Sequence, residues 1–153
     1  MPNVRVTTQD FDVGAESASL LAGREGVGAV ASFTGIVRSD AARPITALTL
    51  EHYPGMTERA LAGIAAEAKA RFALLGCTII HRTGTLRPGE QIVLVLTAAA
   101  HRAAALEACA FLIDWLKTQA PFWKKEHWHD GTESWVEARA DDDAAAARWE
   151  SRS

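Results

Sequence analysis

The sequence predicts an α+β fold. The expected form is two-layer, an antiparallel sheet with helices on one face, with a βαββαβ-like core and added strands at both ends. Two observations carry this. Apolar residues recur at helical spacing in windows 56–75 and 101–118, while β-branched runs lie before, between and after them. Turn formers punctuate the boundaries, at Pro54-Gly55, Gly76, Gly84 and Pro88-Gly89. With 153 residues, the chain is expected to form one domain spanning 1–153. A composition of 48% hydrophobic and 23% charged residues reads as globular, not disordered.

Taken in order, Val4 to Thr8 alternates and is β-rich, so it predicts a first strand. Residues 14–23 predict a short helix with Gly23 as its stop. Val27 to Val37 predicts a strand interrupted by Gly35, a sign of a bulge or a close backbone approach. Residues 38–44 form a polar loop. Ile45 to Tyr53 predicts another strand, with Ile45, Ala47, Thr49 and Glu51 on one face and Leu48, Leu50 and His52 on the other. The helix from Pro54-Gly55 to about Leu75 buries Leu61, Ile64, Ala65, Ala68 and Phe72, and Gly76 is the expected cap. Strands follow at 77–83 and 91–99, joined by a turn over 84–90. The second helix, about His101 to Thr118, buries Ala105, Cys109, Leu112 and Leu116. Short strands at 122–128 and 134–138 flank Asp130-Gly131, and an Ala-rich helix closes the chain over 141–149.

The formal charge is −3, with 16 Lys+Arg against 19 Asp+Glu, which argues against broad charge-driven nucleic-acid binding. Cys77 and Cys109 lie in apolar runs without a C-x-x-C motif and read as buried free thiols. No apolar run approaches the ~18 residues of a membrane span, and the first residues carry no secretory pattern. The expectation is a cytoplasmic protein that does not associate with membranes.

The most informative stretch is Lys117-Thr118-Gln119-Ala120-Pro121-Phe122-Trp123-Lys124-Lys125-Glu126. It concentrates amines and aromatics where a helix stops and a strand begins. Such a cluster suits a flat, anionic ligand, although lysine is also favoured at a helix C-terminus and on an edge strand. In a strand, Lys124 shares a face with Phe122 and Glu126, whereas Lys125 and Trp123 share the other. His101-Arg102 sets cations at a helix N-terminus that is already electropositive. A bound phosphate or carboxylate would resolve that conflict; otherwise the two side chains turn to solvent, or to Glu51 or Glu90. Lys117 lies sixteen residues later, about 24 Å along the helix. An extended substrate, a composite site or a neighbouring subunit is needed to join the two ends. His127 and His129 lack an evident third ligand, so no metal site is expected.

Several blocks resemble the catalytic (large) subunit of molybdopterin synthase. They are Ala29-Val30-Ala31-Ser32-Phe33-Thr34-Gly35-Ile36-Val37-Arg38, Leu48 through Met56, and His81-Arg82-x-Gly84-x-Leu86-x-x-Gly89-Glu90. Ala100-His101-Arg102, Leu116 through Glu126 and Trp135-Val136-Glu137-Ala138 continue the likeness. The resemblance implies an α/β hammerhead fold and a sulfurtransferase of molybdenum cofactor biosynthesis. Its substrate would be cyclic pyranopterin monophosphate (precursor Z), which receives two sulfurs to become molybdopterin. The implied partner is a small ubiquitin-like sulfur carrier with a C-terminal Gly-Gly thiocarboxylate. The implied assembly is a homodimer within a heterotetramer, with no cofactor and no metal at this step. Carried over by position, Lys117 and Lys124 are the implied catalytic residues. Ile36, Val37, Arg38, His101, Arg102, Lys125 and Glu126 join them in binding substrate, and Phe33 and Arg139 would support the pocket. The resemblance assigns nothing to the segments 39–44 and 127–134.

Overall fold

A computed structural model describes residues 3–136 and 140–150. Its elements are β1 (Asn3–Thr7), α1 (Val13–Leu21), β2 (Ala29–Ile36), β3 (Ile45–His52), α2 (Met56–Phe72) and β4 (Gly76–Arg82), followed by β5 (Gly84–Leu86), β6 (Gln91–Ala99), α3 (Arg102–Thr118), β7 (Phe122–Trp128), β8 (Glu133–Trp135) and α4 (Ala140–Ala147). The α+β class is as expected. The single antiparallel sheet is not: two four-stranded sheets form, ordered β1-β4-β6-β2 and β5-β3-β7-β8. The reason is an occupied edge. In a continuous β-α-β-β-α-β sheet β3 would lie beside β6, but β6 is already flanked by β4 and β2, both antiparallel to it. β3 instead pairs with β7 and β5. β1 adds to β4 in parallel, so the first sheet is mixed.

The β4-β6 pair is buried on both faces, which explains its near-continuous apolar sequence. One face, with Ile79, Val93 and Val95, packs on α2 and α3 through Leu61, Ile64, Ala65, Ala68, Ala108 and Leu112. The other face, with Ile80, Leu94 and Leu96, packs on Phe11 and on Leu20 of α1. The helices are therefore not confined to one face, since α1 covers the reverse side of the first sheet. The second sheet has its own small core of Ile45, Leu48, Leu50 and Leu86, joined by Val37. Ile45 sides with Leu48 and Leu50 because a register irregularity between Ile45 and Ala47 resets the alternation.

Three boundary details also differ from expectation. α2 ends at Phe72, and its C-cap is Ala73 in the left-handed conformation (φ 53°), not Gly76. Gly76 opens β4, and a Cβ there would come within 2.8 Å of Leu20 Cδ1. The stretch 84–90 is a turn only in its second half. Its first three residues are β5, paired with Leu48–Leu50, and the chain then reverses around Gly89 (φ 93°) with Glu90 accepting a bond from the Arg87 amide at 2.6 Å. The last strand begins at Glu133 and ends at Trp135. Beyond α4, buried Trp149 sits edge-on to Phe72 and Phe111 and donates from Nε1 to Asp114 at 2.6 Å.

Candidate active site

Beside the C-terminal end of α3, residues of both sheets line one cavity, the candidate site. α3 stops because its sequence runs into Pro121. Gln119 donates its amide to Trp115 at 2.8 Å, Phe122 donates to Ala120 at 2.8 Å, and the chain leaves as β7. Buried Thr57, in the first turn of α2, donates its hydroxyl to the Pro121 carbonyl at 3.2 Å and accepts from the Tyr53 amide at 3.1 Å. The reversal is thereby pinned to the start of α2, which fixes Lys117 relative to Lys124.

Lys117, in the last turn of α3, and Lys124, on β7, line one cavity of about 550 Å3. Its walls come from the exit of β2 (Phe33 through Arg38), the start of β6 and the end of β4. The loop after β2 is held in place by Val37, whose amide donates to Glu90 at 2.9 Å and whose carbonyl accepts from Gly89 at 2.8 Å. Phe33, Ile36, Val37, Arg38, Lys117 and Lys124 are therefore brought together within one protomer. Anions fit this cavity, because two amines and a guanidinium converge on it.

Other expected site residues lie elsewhere. His101 is the N-cap of α3 and Arg102 its first residue; both are exposed and neither lines the cavity. Lys125 points to the opposite face of β7, as alternation requires. There it lies 3.5 Å from Glu133 and 4.6 Å from the Trp135 ring centroid. Trp123 shares that face and packs edge-on against Tyr53 at 4.2 Å. Glu126 shares the Lys124 face and lines an adjoining pocket with Arg38, Asp40, Arg43, Ile45 and Trp128. Arg139 lies outside the described residues. His127 is engaged through both ring nitrogens, with Thr49 at 2.7 Å and Glu133 at 3.3 Å.

Sequence reasoning missed His81 as part of the cavity. It is 5% exposed, stacks on Phe122 at 3.7 Å between centroids, and lines the cavity beside both lysines. Burial pushes its pKa down from 6.5 to about 3, and the Lys124 and Lys117 charges press in the same direction. The ring is therefore neutral at physiological pH. Its Nδ1 donates to the Arg82 carbonyl at 2.9 Å, which leaves Nε2 as the acceptor. The His-Arg pair within the block from His81 to Glu90 was visible in the sequence, but nothing in it indicated burial.

Comparisons with known proteins bear on the family and the fold. The family model described as MoaE protein matches residues 6–119. A molybdopterin synthase catalytic subunit from Mesorhizobium japonicum is 58% identical, over 99% of this chain and 96% of that protein. The solved molybdopterin biosynthesis MoaE protein from Burkholderia ambifaria superposes with a TM-score of 0.84. It is 53% identical, with 98% of this chain and 99% of that one covered. A molybdopterin synthase structure from Staphylococcus aureus superposes with a TM-score of 0.79 at 29% identity, covering 86% and 95%.

Proposed function

We propose, because this chain belongs to the MoaE family of molybdopterin synthase catalytic subunits, that it inserts two sulfurs into cyclic pyranopterin monophosphate to make molybdopterin. The observation that carries the reading is the convergence of Lys117 and Lys124, from two different elements, on one cavity lined by both sheets. In each transfer a C–S bond forms at a carbon of the pterin side chain as a C–O bond at that carbon breaks, its oxygen leaving with the opened cyclic phosphate or as water, and the donor's acyl–S bond is then hydrolysed. Water supplies the replacing oxygen, and the donor leaves as a carboxylate. Lys117 holds the incoming thiocarboxylate and stabilises its charge, while Lys124 and Arg38 face the substrate and its phosphate.

In this reading the sulfur comes from outside the chain. Both cysteines are buried and unpaired, and burial pushes Cys77 up to about 12 and Cys109 up to about 11. They stay protonated and poorly nucleophilic at neutral pH. Inert thiols suit the family reading, in which the sulfur arrives on a small ubiquitin-like partner with a C-terminal Gly-Gly thiocarboxylate. Two buried free thiols also suit the reducing cytoplasm. Among the described residues no helix is long and apolar enough to cross a membrane. We read residues 1–153 as one domain that dimerises at the centre of a heterotetramer. In that dimer His101 and Arg102 of one protomer reach the lysine cavity of the other, since α3 holds them a helix length from Lys117 in their own.

A single-turnover assay tests the reading. The protein is mixed with thiocarboxylated carrier and cyclic pyranopterin monophosphate, and dithiolene product is followed by mass spectrometry. Wild type is expected to form product. Lys117→Ala is expected to fold and bind the carrier yet lose on the order of 100-fold or more in rate. A folded wild type that binds carrier but forms no product overturns the assignment.

A further inference from the structure

Among the described residues Arg82 is the one permanently charged side chain that is buried, at 7% exposed. It ends β4 and is not one of the residues that line the cavity. Stability alone does not account for it. Taking a guanidinium out of water is costly, and an apolar side chain of similar volume often serves as well or better. Compensation here is incomplete. Among the described residues Nε is buried without a hydrogen-bond partner. The nearest carboxylates, Glu90 at 3.5 Å and Asp10 at 3.9 Å, both belong to exposed side chains. The close bonds go to the backbone instead. Nη1 donates to the Gln91 carbonyl at 2.9 Å and Nη2 to the Thr8 carbonyl at 3.1 Å.

The Gln91 bond falls where the first sheet is least constrained. The β4-β6 ladder stops at His81 opposite Val93, so Gln91 and Ile92 lie beyond it. On its other side Gln91 pairs with Ile36 across the register shift between Gly35 and Ile36. Arg82 therefore ties down the residue from which the exit of β2 takes its register. Glu90 continues the tie. Its carboxylate accepts from the Arg87 amide at 2.6 Å, and its carbonyl accepts from the Val37 amide at 2.9 Å. Val37 is buried, and the residue after it is Arg38, which lines the cavity. Arg38 is exposed and among the described residues makes no hydrogen bond or ion pair of its own, so the Val37 backbone sets its place.

We infer that Arg82 is a positioning residue for sulfur transfer: with Glu90, and through Val37, it holds Arg38 over the cavity. The inference rests on the sulfurtransferase reading above, in which Arg38 faces the substrate and its phosphate. An arginine at an untied strand exit would lose the preorganisation that makes its charge effective. The planar fork of Arg82 suits this role, because it reaches two carbonyls and approaches a carboxylate at once. An ammonium is a single point of charge and cannot span them.

The test is a double-mutant cycle in the single-turnover assay on the full chain, with thiocarboxylated carrier saturating and cyclic pyranopterin monophosphate limiting. Thermal unfolding and carrier binding of each variant are measured alongside. Arg82→Lys keeps the charge but not the fork. It is expected to lower kcat/KM at least about tenfold, since a displacement of an ångström can cost more than that. Its carrier affinity is expected to match wild type. In an Arg38→Ala background, the same change is expected to cost no more than about twofold, because two residues acting through one guanidinium are not additive. Glu90→Gln keeps an acceptor for the Arg87 amide and removes the charge that faces Arg82. It stands on an exposed side chain and is expected to fold, with a smaller loss of about threefold that also depends on Arg38. Where Arg82→Lys folds, it decides; where it does not, Glu90→Gln decides. Full activity in the deciding variant, an equal loss with and without Arg38, or full activity in Arg38→Ala overturns the inference and leaves the sulfurtransferase reading standing. An inactive wild type overturns that reading and the inference with it.

Discussion

His81 shows how one residue can be decided by its surroundings. It sits between the buried β4-β6 pair and Phe122, and it remains neutral because ionising it would place a charge in a dry interior beside two lysines. Its titration is therefore a stability effect with a definite sign. The unfolded chain takes up this proton below about pH 6.5, whereas the native state does not until about 3. Between those values the unfolded state binds more protons, so stability is lost as pH falls, by up to about 1.4 kcal/mol per unit. Denaturant unfolding at pH 7 and pH 5 is expected to show this slope in wild type. His81→Phe, which keeps the ring stack, is expected to show a flatter one; equal slopes would remove His81 as the cause. Asp10, whose carboxyl is held below 3.8 by Gln91, changes charge under the pH 5 end of the comparison and does not blur it. At this scale the sequence singled out Lys117 and Lys124, which the fold brings to one cavity. It could not show that His81 is buried or that Lys125 is drawn away to Glu133, because both depend on neighbours distant in the chain.

The elements show where local rules yield to packing. A glycine four residues past the end of α2 looked like its cap, yet Ala73 takes the left-handed position and Gly76 is needed where β4 passes Leu20. The Ala73 Cβ costs roughly 1 kcal/mol in that conformation. Ala73→Gly is accordingly expected to raise stability by about 0.5–1 kcal/mol, after the added freedom of the unfolded chain is counted. A urea midpoint that rises at constant m-value checks it, and a fall would mean that the Ala methyl contributes packing that outweighs the strain. Gly28 makes the opposite case. Its amide donates to Ala99 at 2.9 Å, and a Cβ would lie 2.2 Å from the Ala100 carbonyl oxygen. Gly28→Ala is expected to cost about 1–3 kcal/mol by forcing the backbone apart. The same displacement would shift Ala100, the residue before His101, so reduced turnover in the surviving fold is expected as well. Helix positions, strand alternation and the opposite facing of Lys124 and Lys125 were all legible, since each is a local period. The register irregularity that moves Ile45 into the second core was not, because it exists only in the pairing of β3 with β7.

At the scale of the whole molecule, the distance between the ends of α3 predicts that the active site is shared. Two inactive variants, Arg102→Ala and Lys117→Ala, are expected to complement when mixed and allowed to exchange subunits. Half of the dimers would then be mixed, each with one intact site, for roughly a quarter of wild-type turnover. No recovery despite demonstrated exchange would mean that both ends act within one protomer. The sequence by itself determined the α+β class, the family and the order and kind of every element but β5, and it singled out the pair of lysines, because these rest on composition, periodicity and local motifs. Only the tertiary structure decided that the sheet divides in two, since β2 occupies the edge of β6 that β3 would otherwise use. From that division follow the cavity between the sheets, the neutral His81 at its floor and the adjoining pocket lined by Arg38 and Glu126. Each brings together residues from strands far apart in the chain, and which of two competing strands pairs with an edge is a contest of long-range packing that no local pattern records.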